Sequence, residues 1–449
     1  MKDNRSTVVG AGLVGSLLAI YLAKRGEQVE VYERRPDMRK ASISAGKSIN
    51  LALSDRGLKA LRGVGIEQDI LDISIPMKGR MVHMTDGSVS FQPYGKEGQS
   101  ILSVSRGELN RKLMTLAESH ANVTLHFNQR CTGIDLDAAT CCFVNDGTGA
   151  ETVAQADRVY GTDGAFSAVR GRMQFLDRFN YSQQYLEHGY KELTIPPTPD
   201  GGFRMEKHCL HIWPRGNFML IALPNLDGSF TCTLFFPFEG ERSFASLKTP
   251  EQVTAFFEEV FPDAVPHMPT LTEDYFANPT SSLVIVRCSP WNYKDKALLM
   301  GDAAHAIVPF YGQGMNAGFE DCTVFEELAQ TMWDNTERMF TRFSELRKPD
   351  GDAIADLALR NFIEMRDLVA DPEFLLRKKI EKALNERHPT KWIPLYSMVT
   401  FSHMRYSDAL AYGKNHDRIM AEVLGWPNIA EIWEEAEVMR RIEEVAGLG

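Results

Sequence analysis

A membrane-crossing helix needs about 20 consecutive apolar residues, and no stretch of this chain approaches that. Its longest apolar runs, around Phe218–Leu223 and Leu283–Val286, are strand-sized. Lys2 to Arg5 is polar and the apolar stretch after it is broken by glycines, so no targeting segment is expected. Cysteine is sparse. There are seven, an odd number, with no C-x-x-C and with Cys141 and Cys142 adjacent, which excludes a fully paired disulfide framework and fits reduced thiols in a cytoplasmic protein. Positive charge is in deficit. A net charge of -11 gives no broad basic face to displace the counterions of a nucleic acid. His208 and His211 are three apart in a strand-like segment, which puts them on opposite faces, and no metal site is expected. No nucleophile–histidine arrangement can be argued from spacing. Internal repeats and low-complexity linkers are missing too.

What is present is an ordinary globular composition, 44% hydrophobic and 24% charged over 449 residues. At roughly 150 residues per domain that length suggests two or three domains. The chain opens with a βαβ unit: Thr7–Val9 as a strand, Leu13, Leu17, Ile20 and Tyr21 at helical spacing, Gly26 as a stop, then Val29 and Val31 alternating before Glu33. Met81–Leu102 reads as short strands and turns, and Arg106–Ala121 as a helix. Val123–Phe127, Gly133–Leu136 and Cys141–Val144 read as further strands. Residues 175–285 suggest a mainly antiparallel sheet with one helix near Pro250–Val260. Ala297–Met300 is a buried strand, and beyond about residue 335 the chain is helical to its end.

Three glycine motifs lie on this scaffold. The first is Gly10-Ala11-Gly12-Leu13-Val14-Gly15. Its glycines allow a tight turn, close approach of a pyrophosphate and close helix–strand packing, while the helix N-terminus turns free amides toward phosphate. Glu33, 18 residues after Gly15, ends the second strand, where a carboxylate can accept from ribose hydroxyls. This unit does not separate FAD from NAD. The second motif is Gly161-Thr162-Asp163-Gly164 and the third Gly301-Asp302-Ala303-Ala304-His305, each a strand running into a turn with a carboxylate. Gly312-Gln313-Gly314-Met315-Asn316 then offers a set of amides leading into a helix N-terminus, able to stabilise negative charge on a flavin's pyrimidine edge.

In this order the motifs resemble the single-component flavoprotein aromatic hydroxylases, the p-hydroxybenzoate hydroxylase-like group. The resemblance implies an α/β fold: a Rossmann-type FAD-binding domain interleaved with an antiparallel-sheet substrate domain, plus a C-terminal helical region. The expected boundaries are residues 1–75, 98–175 and 285–335 for the FAD-binding part, 76–97 and 176–284 for the substrate part, and 336–449 for the helical region. It implies FAD contacts at Gly10, Gly12, Leu13, Val14, Gly15, Glu33, Arg34, Leu53, Arg106, Asp163, Asp302, Gly312, Gly314, Met315 and Asn316, and a transient visit by NADPH. No second G-x-G-x-x-G unit is present to give NADPH a domain of its own.

Further segments resemble the kynurenine 3-monooxygenase branch of that group. They include Lys47–Ser54, Met77–His83, Gln92–Gly95, His188–Leu193, His211–Pro214, Ala222–Asp227, Asn361–Met365 and Pro394–Phe401, in collinear order over nearly the whole chain. The branch implies L-kynurenine, NADPH and O2 as substrates, with oxygen delivered through a flavin hydroperoxide to give 3-hydroxykynurenine. It implies that Arg80, Tyr94 and Tyr396, with Asn361 nearby, hold an amino-acid carboxylate, and that Phe310, Met365, Leu210, Met219 and Ile221 form apolar walls. No acid or base is named, because the substrate's own aniline nitrogen activates the ring. Two positions depart from the pattern: Tyr311 stands where a histidine is common, and Thr162 where alanine is. Eukaryotic members carry a C-terminal membrane anchor, and residues 440–449 show no such span. Three other readings remain open: a hydroxylase for a phenol or ubiquinone precursor, a flavin-free NAD-binding dehydrogenase, and a non-catalytic flavin-binding protein.

Overall fold

The computed structural model describes residues 4–40, 50–365 and 371–448. Residues 47–49 of the Lys47–Ser54 segment lie outside them. The first strand, Arg5–Val9, sits inside a six-stranded sheet, between Gln28–Tyr32 on one side and Arg158–Gly161 on the other, both parallel to it. Val123–His126 extends one flank, and Ala297–Leu299 followed by Asn292–Tyr293 extends the other. Strand order therefore reverses at Arg5–Val9, and the crevice outside the strands' carboxyl ends at such a point is where ligands bind in open α/β sheets. All three glycine motifs begin there, after Val9, Tyr160 and Met300. Helix Leu13–Lys24 is buried along most of its length, packed on helices Arg106–Glu118 and Gly314–Met332.

A second sheet of seven strands runs in the order Ser281–Ser289, Asn180–Ile195, Phe230–Pro237, Met219–Pro224, Cys209–Pro214, Gly79–His83, Val89–Pro93. Every pairing is antiparallel except that of Gly79–His83 with Cys209–Pro214. Phe230, Cys232, Leu234 and Phe236 point to a core shared with helix Pro250–Val260, whereas Phe235 faces the opposite layer. That helix starts where its sequence signals say. Thr249 and Gln252 form a reciprocal capping box and Pro250 occupies the first turn. A second helix in this region, Leu271–Ala277, departs from the single helix expected; with no side-chain cap and only seven residues it carries little local signal. Helices Thr336–Ile363, Pro372–Arg387 and Tyr406–Leu424 make up most of the rest. Among the described residues no helix is long and apolar enough to cross a membrane, and all seven cysteines are free.

Candidate active site

A cavity of about 680 Å³ opens between the two sheets, within the roughly 300–1,000 Å³ range of small-molecule sites. At one end lie Gly10, Gly12, Leu13, Val14, Glu33, Arg34, Arg106, Asp163 and Asp302. The turns that carry them are tied together. Gly10 N donates to Tyr32 O at 2.8 Å, Thr162 N to Val9 O at 3.0 Å, and Thr162 Oγ1 to Val9 O at 2.9 Å and Gly10 O at 3.0 Å. The threonine that departs from the family's alanine thus stitches the first two motifs. Gly10 has φ +101°, a conformation open to glycine, and a Cβ there would lie 2.8 Å from Thr162 O.

Glu33 Oε2 accepts from Ala11 N at 3.0 Å, and Oε1 from Arg35 N and Nε at 2.9 and 2.8 Å. Burial pushes the Glu33 carboxyl up, but the Arg35 and Ala11 bonds outweigh it and hold the group below the usual range, so it stays an anionic acceptor. Asp163 Oδ2 accepts from Ala168 N at 2.6 Å, while its Oδ1 is buried with no partner. Burial pushes this carboxyl up. An orphaned buried carboxylate oxygen facing a cavity calls for a donor from a ligand.

The third motif is held from behind. Asp321 Oδ2 accepts from Gly301 N at 2.8 Å and bonds His305 Nε2 at 2.6 Å, and Arg347 Nε donates to Oδ1 at 2.8 Å. Farther along, Gly312, with φ +67°, Gly314 and Met315 line the cavity.

At the other end the floor is the second sheet, presenting Leu210, Met219, Ile221, Thr233 and Phe235, and Phe310 and Met365 close the side. Phe310 stacks on Phe362 at 4.1 Å between ring centres. Arg80 also reaches the cavity. Its guanidinium lies 5.5 Å from the Tyr94 ring centre and 5.0 Å from that of Tyr396. Tyr396 is sandwiched between Tyr94 and Tyr311, each 5.6 Å away and nearly parallel. Among the described residues no carboxylate pairs with Arg80; its Nε is buried without a partner, and its guanidinium is set against the Tyr94 and Tyr396 phenols. Burial pushes the phenols of Tyr94, Tyr311 and Tyr396 up, so all three remain neutral O–H groups.

Four expected contact residues stand behind the wall rather than on it. Gly15 packs against the first turn, where a Cβ would come within 2.0 Å of Gly10 O. Leu53 is fully buried in the core. Asn316 spends its amide on the scaffold: Nδ2 donates to Ala52 O and Gly312 O, both at 2.8 Å, and Oδ1 accepts from Ser54 N at 2.9 Å. Asn361 Nδ2 donates to Phe310 O at 2.6 Å and so fixes the backbone of that wall residue. Conversely, Phe235, Thr233 and Tyr190 were not anticipated. The alternation of residues 230–237 could have pointed to the first two, but not which face meets a cavity.

The FAD binding domain family matches residues 4–358. A kynurenine 3-monooxygenase of Flavobacterium johnsoniae is 54% identical over 438 residues, 98% of each chain. The chain belongs to the kynurenine 3-monooxygenase family. The pig member is 47% identical over 406 residues, 90% of this chain and 85% of its own. Among solved structures, 2-methyl-3-hydroxypyridine-5-carboxylic acid oxygenase superposes with a TM-score of 0.66 at 20% identity, covering 83% of this chain and 95% of that one. p-Nitrophenol 4-monooxygenase from Pseudomonas putida gives 0.64 at 16% identity, covering 92% and 98%. These two establish the fold, that of the FAD-binding monooxygenases with a helical C-terminal region, as expected from the motifs. Membership in the family removes the flavin-free dehydrogenase from the open readings.

Proposed function

We propose that the protein hydroxylates L-kynurenine on the ring carbon ortho to its aniline nitrogen, giving 3-hydroxykynurenine, with FAD bound in the crevice and NADPH and O2 consumed. The observation that carries this reading is the guanidinium at the cavity's far end. Arg80 has no carboxylate against it and a buried Nε without a partner, and with the Tyr94 and Tyr396 phenols around it, it is set beside an apolar chamber that is continuous with a nucleotide cradle. A guanidinium left so is costly unless a ligand anion completes it. An aromatic amino acid supplies a carboxylate for that end and a flat apolar ring for the chamber. The relatives' name supplies the particular amino acid.

The residues present fit FAD. Gly10, Gly12 and the first turn of helix Leu13–Lys24 would receive the pyrophosphate, Glu33 a ribose, Asp163 and Asp302 the linking chain, and Gly312–Met315 the ring. The units proposed to carry these roles are residues 1–75, 98–175 and 285–335 for cofactor, with 76–97 and 176–284 building the substrate floor. Reduced by NADPH, bound FAD supplies the activated oxygen atom. The chain's own residues do the rest. Arg80 pairs with the substrate carboxylate, and Tyr94 and Tyr396, kept protonated by burial, offer O–H donors beside it. Leu210, Met219, Ile221, Phe310 and Phe235 set the ring plane and keep water out. The lone pair of the aniline nitrogen activates the ring, so no protein base is required.

The test is direct. Purified holoprotein given NADPH, oxygen and L-kynurenine should form 3-hydroxykynurenine in step with NADPH use. A phenol hydroxylated in preference to kynurenine, or bound flavin with no kynurenine-stimulated NADPH oxidation, would overturn the reading.

A further inference from the structure

Arg56 is the second residue of helix Asp55–Gly63, far from the glycine turns in sequence and outside the cavity wall. Charges near a helix start usually face water. This one is 1% exposed. Its guanidinium reaches across to the C-terminal part of the chain. Nε donates to Val399 O at 3.1 Å, Nη2 donates to Met404 O, and the group lies 4.1 Å above the Tyr406 ring. Nη1 pairs with Glu320 Oε1 at 2.5 Å, and the other oxygen of Glu320 takes Arg347 Nη1 at 2.7 Å.

Val399 and Met404 flank the end of helix Leu395–Thr400. Six residues cannot hold a helix by propensity alone, and the last carbonyls of a helix have no partner within it. Arg56 supplies a donor to one of those carbonyls and puts a cation at the helix's negative end. That helix carries Tyr396, whose ring is sandwiched by Tyr94 and Tyr311 beside Arg80. Its other anchors are of a different kind: Met398 and Val399 are buried in the core, Leu395 packs against Gly413, and Ser402 Oγ donates to Met398 O at 2.5 Å.

We infer that Arg56 is a positioning residue for substrate binding, acting through helix Leu395–Thr400 to set Tyr396 against the Arg80 end of the cavity. This rests on the proposed function, since it assigns Tyr396 to the carboxylate. Lysine cannot replace it in geometry: a single ammonium can keep the pairing with Glu320 but cannot span two carbonyls and a carboxylate as the guanidinium fork does.

The experiment compares wild type, Arg56→Lys and Arg56→Met holoproteins by circular dichroism, FAD affinity and binding of two ligands, L-kynurenine and its decarboxylated analogue kynuramine. For Arg56→Met the kynurenine dissociation constant should rise about tenfold or more, the loss of roughly one charge-assisted contact. Arg56→Lys should fall between it and wild type. KM should follow the dissociation constant while kcat changes less. FAD affinity should fall by less than kynurenine affinity: Glu320 links Arg56 to Arg347, but the Arg347 Nε bond to Asp321 that backs the third glycine motif is made without Arg56. Kynuramine, lacking the carboxylate, should bind the variants and wild type alike. Unchanged kynurenine binding in a folded variant overturns the inference. So does equal weakening of kynurenine and kynuramine, or of FAD, because each marks general loosening. Should Arg56→Met fail to fold, the Arg56→Lys arm carries the same comparison. Wild type that binds no kynurenine would sink the substrate reading and this inference with it.

Discussion

Arg80→Ala is expected to weaken L-kynurenine binding about tenfold to a hundredfold, the equivalent of roughly 1.5–3 kcal/mol for a hydrogen-bonded charged contact. FAD should be retained at wild-type stoichiometry. Arg80 belongs to strand Gly79–His83 of the second sheet, whereas the glycine turns all leave the first. The two consequences separate cleanly because the sheets contribute opposite ends of one cavity. A third consequence distinguishes a ligand-binding arginine from a structural one. With no carboxylate against it, Arg80 has no ion pair to lose in the substrate-free fold and carries an unpaired Nε. Its removal should therefore leave the melting temperature of the substrate-free protein equal or higher, where breaking a structural ion pair would lower it. Kynurenine titrated against the flavin absorbance, and a thermal melt without ligand, check both parts. Wild-type affinity in the variant would reject the role.

The contrast between Arg80 and Arg56 shows what a sequence makes legible. The first motif is local: strand, turn, helix, strand and Glu33 fall within 33 residues, and every constraint acts between near neighbours in the chain. Its elements form as the spacing predicts. Arg80 was visible because an arginine among Met77, Met81 and Val82 needs an explanation, and because the resemblance offered one. What the spacing could not reveal is the parallel pairing of Gly79–His83 with Cys209–Pro214, some 130 residues away, which gives the floor its shape. Arg56 was illegible for the same reason. Its burial is created by carbonyls at 399 and 404, and nothing within its own helix anticipates them.

Asparagines 316 and 361 illustrate a subtler gap. Both bond residues of the cavity wall, each through amide bonds to backbone carbonyls, at Gly312 and Phe310. Neighbourhood in sequence to a functional loop predicts proximity. Whether a polar side chain faces the ligand or the scaffold depends on which orphaned carbonyls the tertiary fold leaves for it. The strand Asn50–Leu53 shows the same dependence, turning Leu51 and Ala52 to the cavity and the Leu53 side chain to the core.

The glycines of the first motif offer the other large effect, and they separate fold from ligand. At Gly15 a methyl group would come within 2.0 Å of Gly10 O and 2.5 Å of Thr162 Oγ1, and the backbone carbonyl has nowhere to go without opening the turn. Gly15→Ala should thus lower the apoprotein's melting temperature and abolish FAD retention together. Gly12 is different. A Cβ there meets no protein atom within 4 Å, although Gly12 lines the cavity. The fold has no reason to require glycine at this position; only a ligand approaching the backbone does. Gly12→Ala should accordingly leave the apoprotein's melting temperature unchanged. It should weaken FAD by an amount typical of an intruding methylene, about 1–3 kcal/mol or roughly fivefold to 150-fold. Titrating apoprotein with FAD by quenching of flavin fluorescence measures it. Full affinity in Gly12→Ala would mean that the pyrophosphate does not pass over this turn, and the placement of the nucleotide along the cavity would have to be redrawn from Glu33 and Asp163 instead.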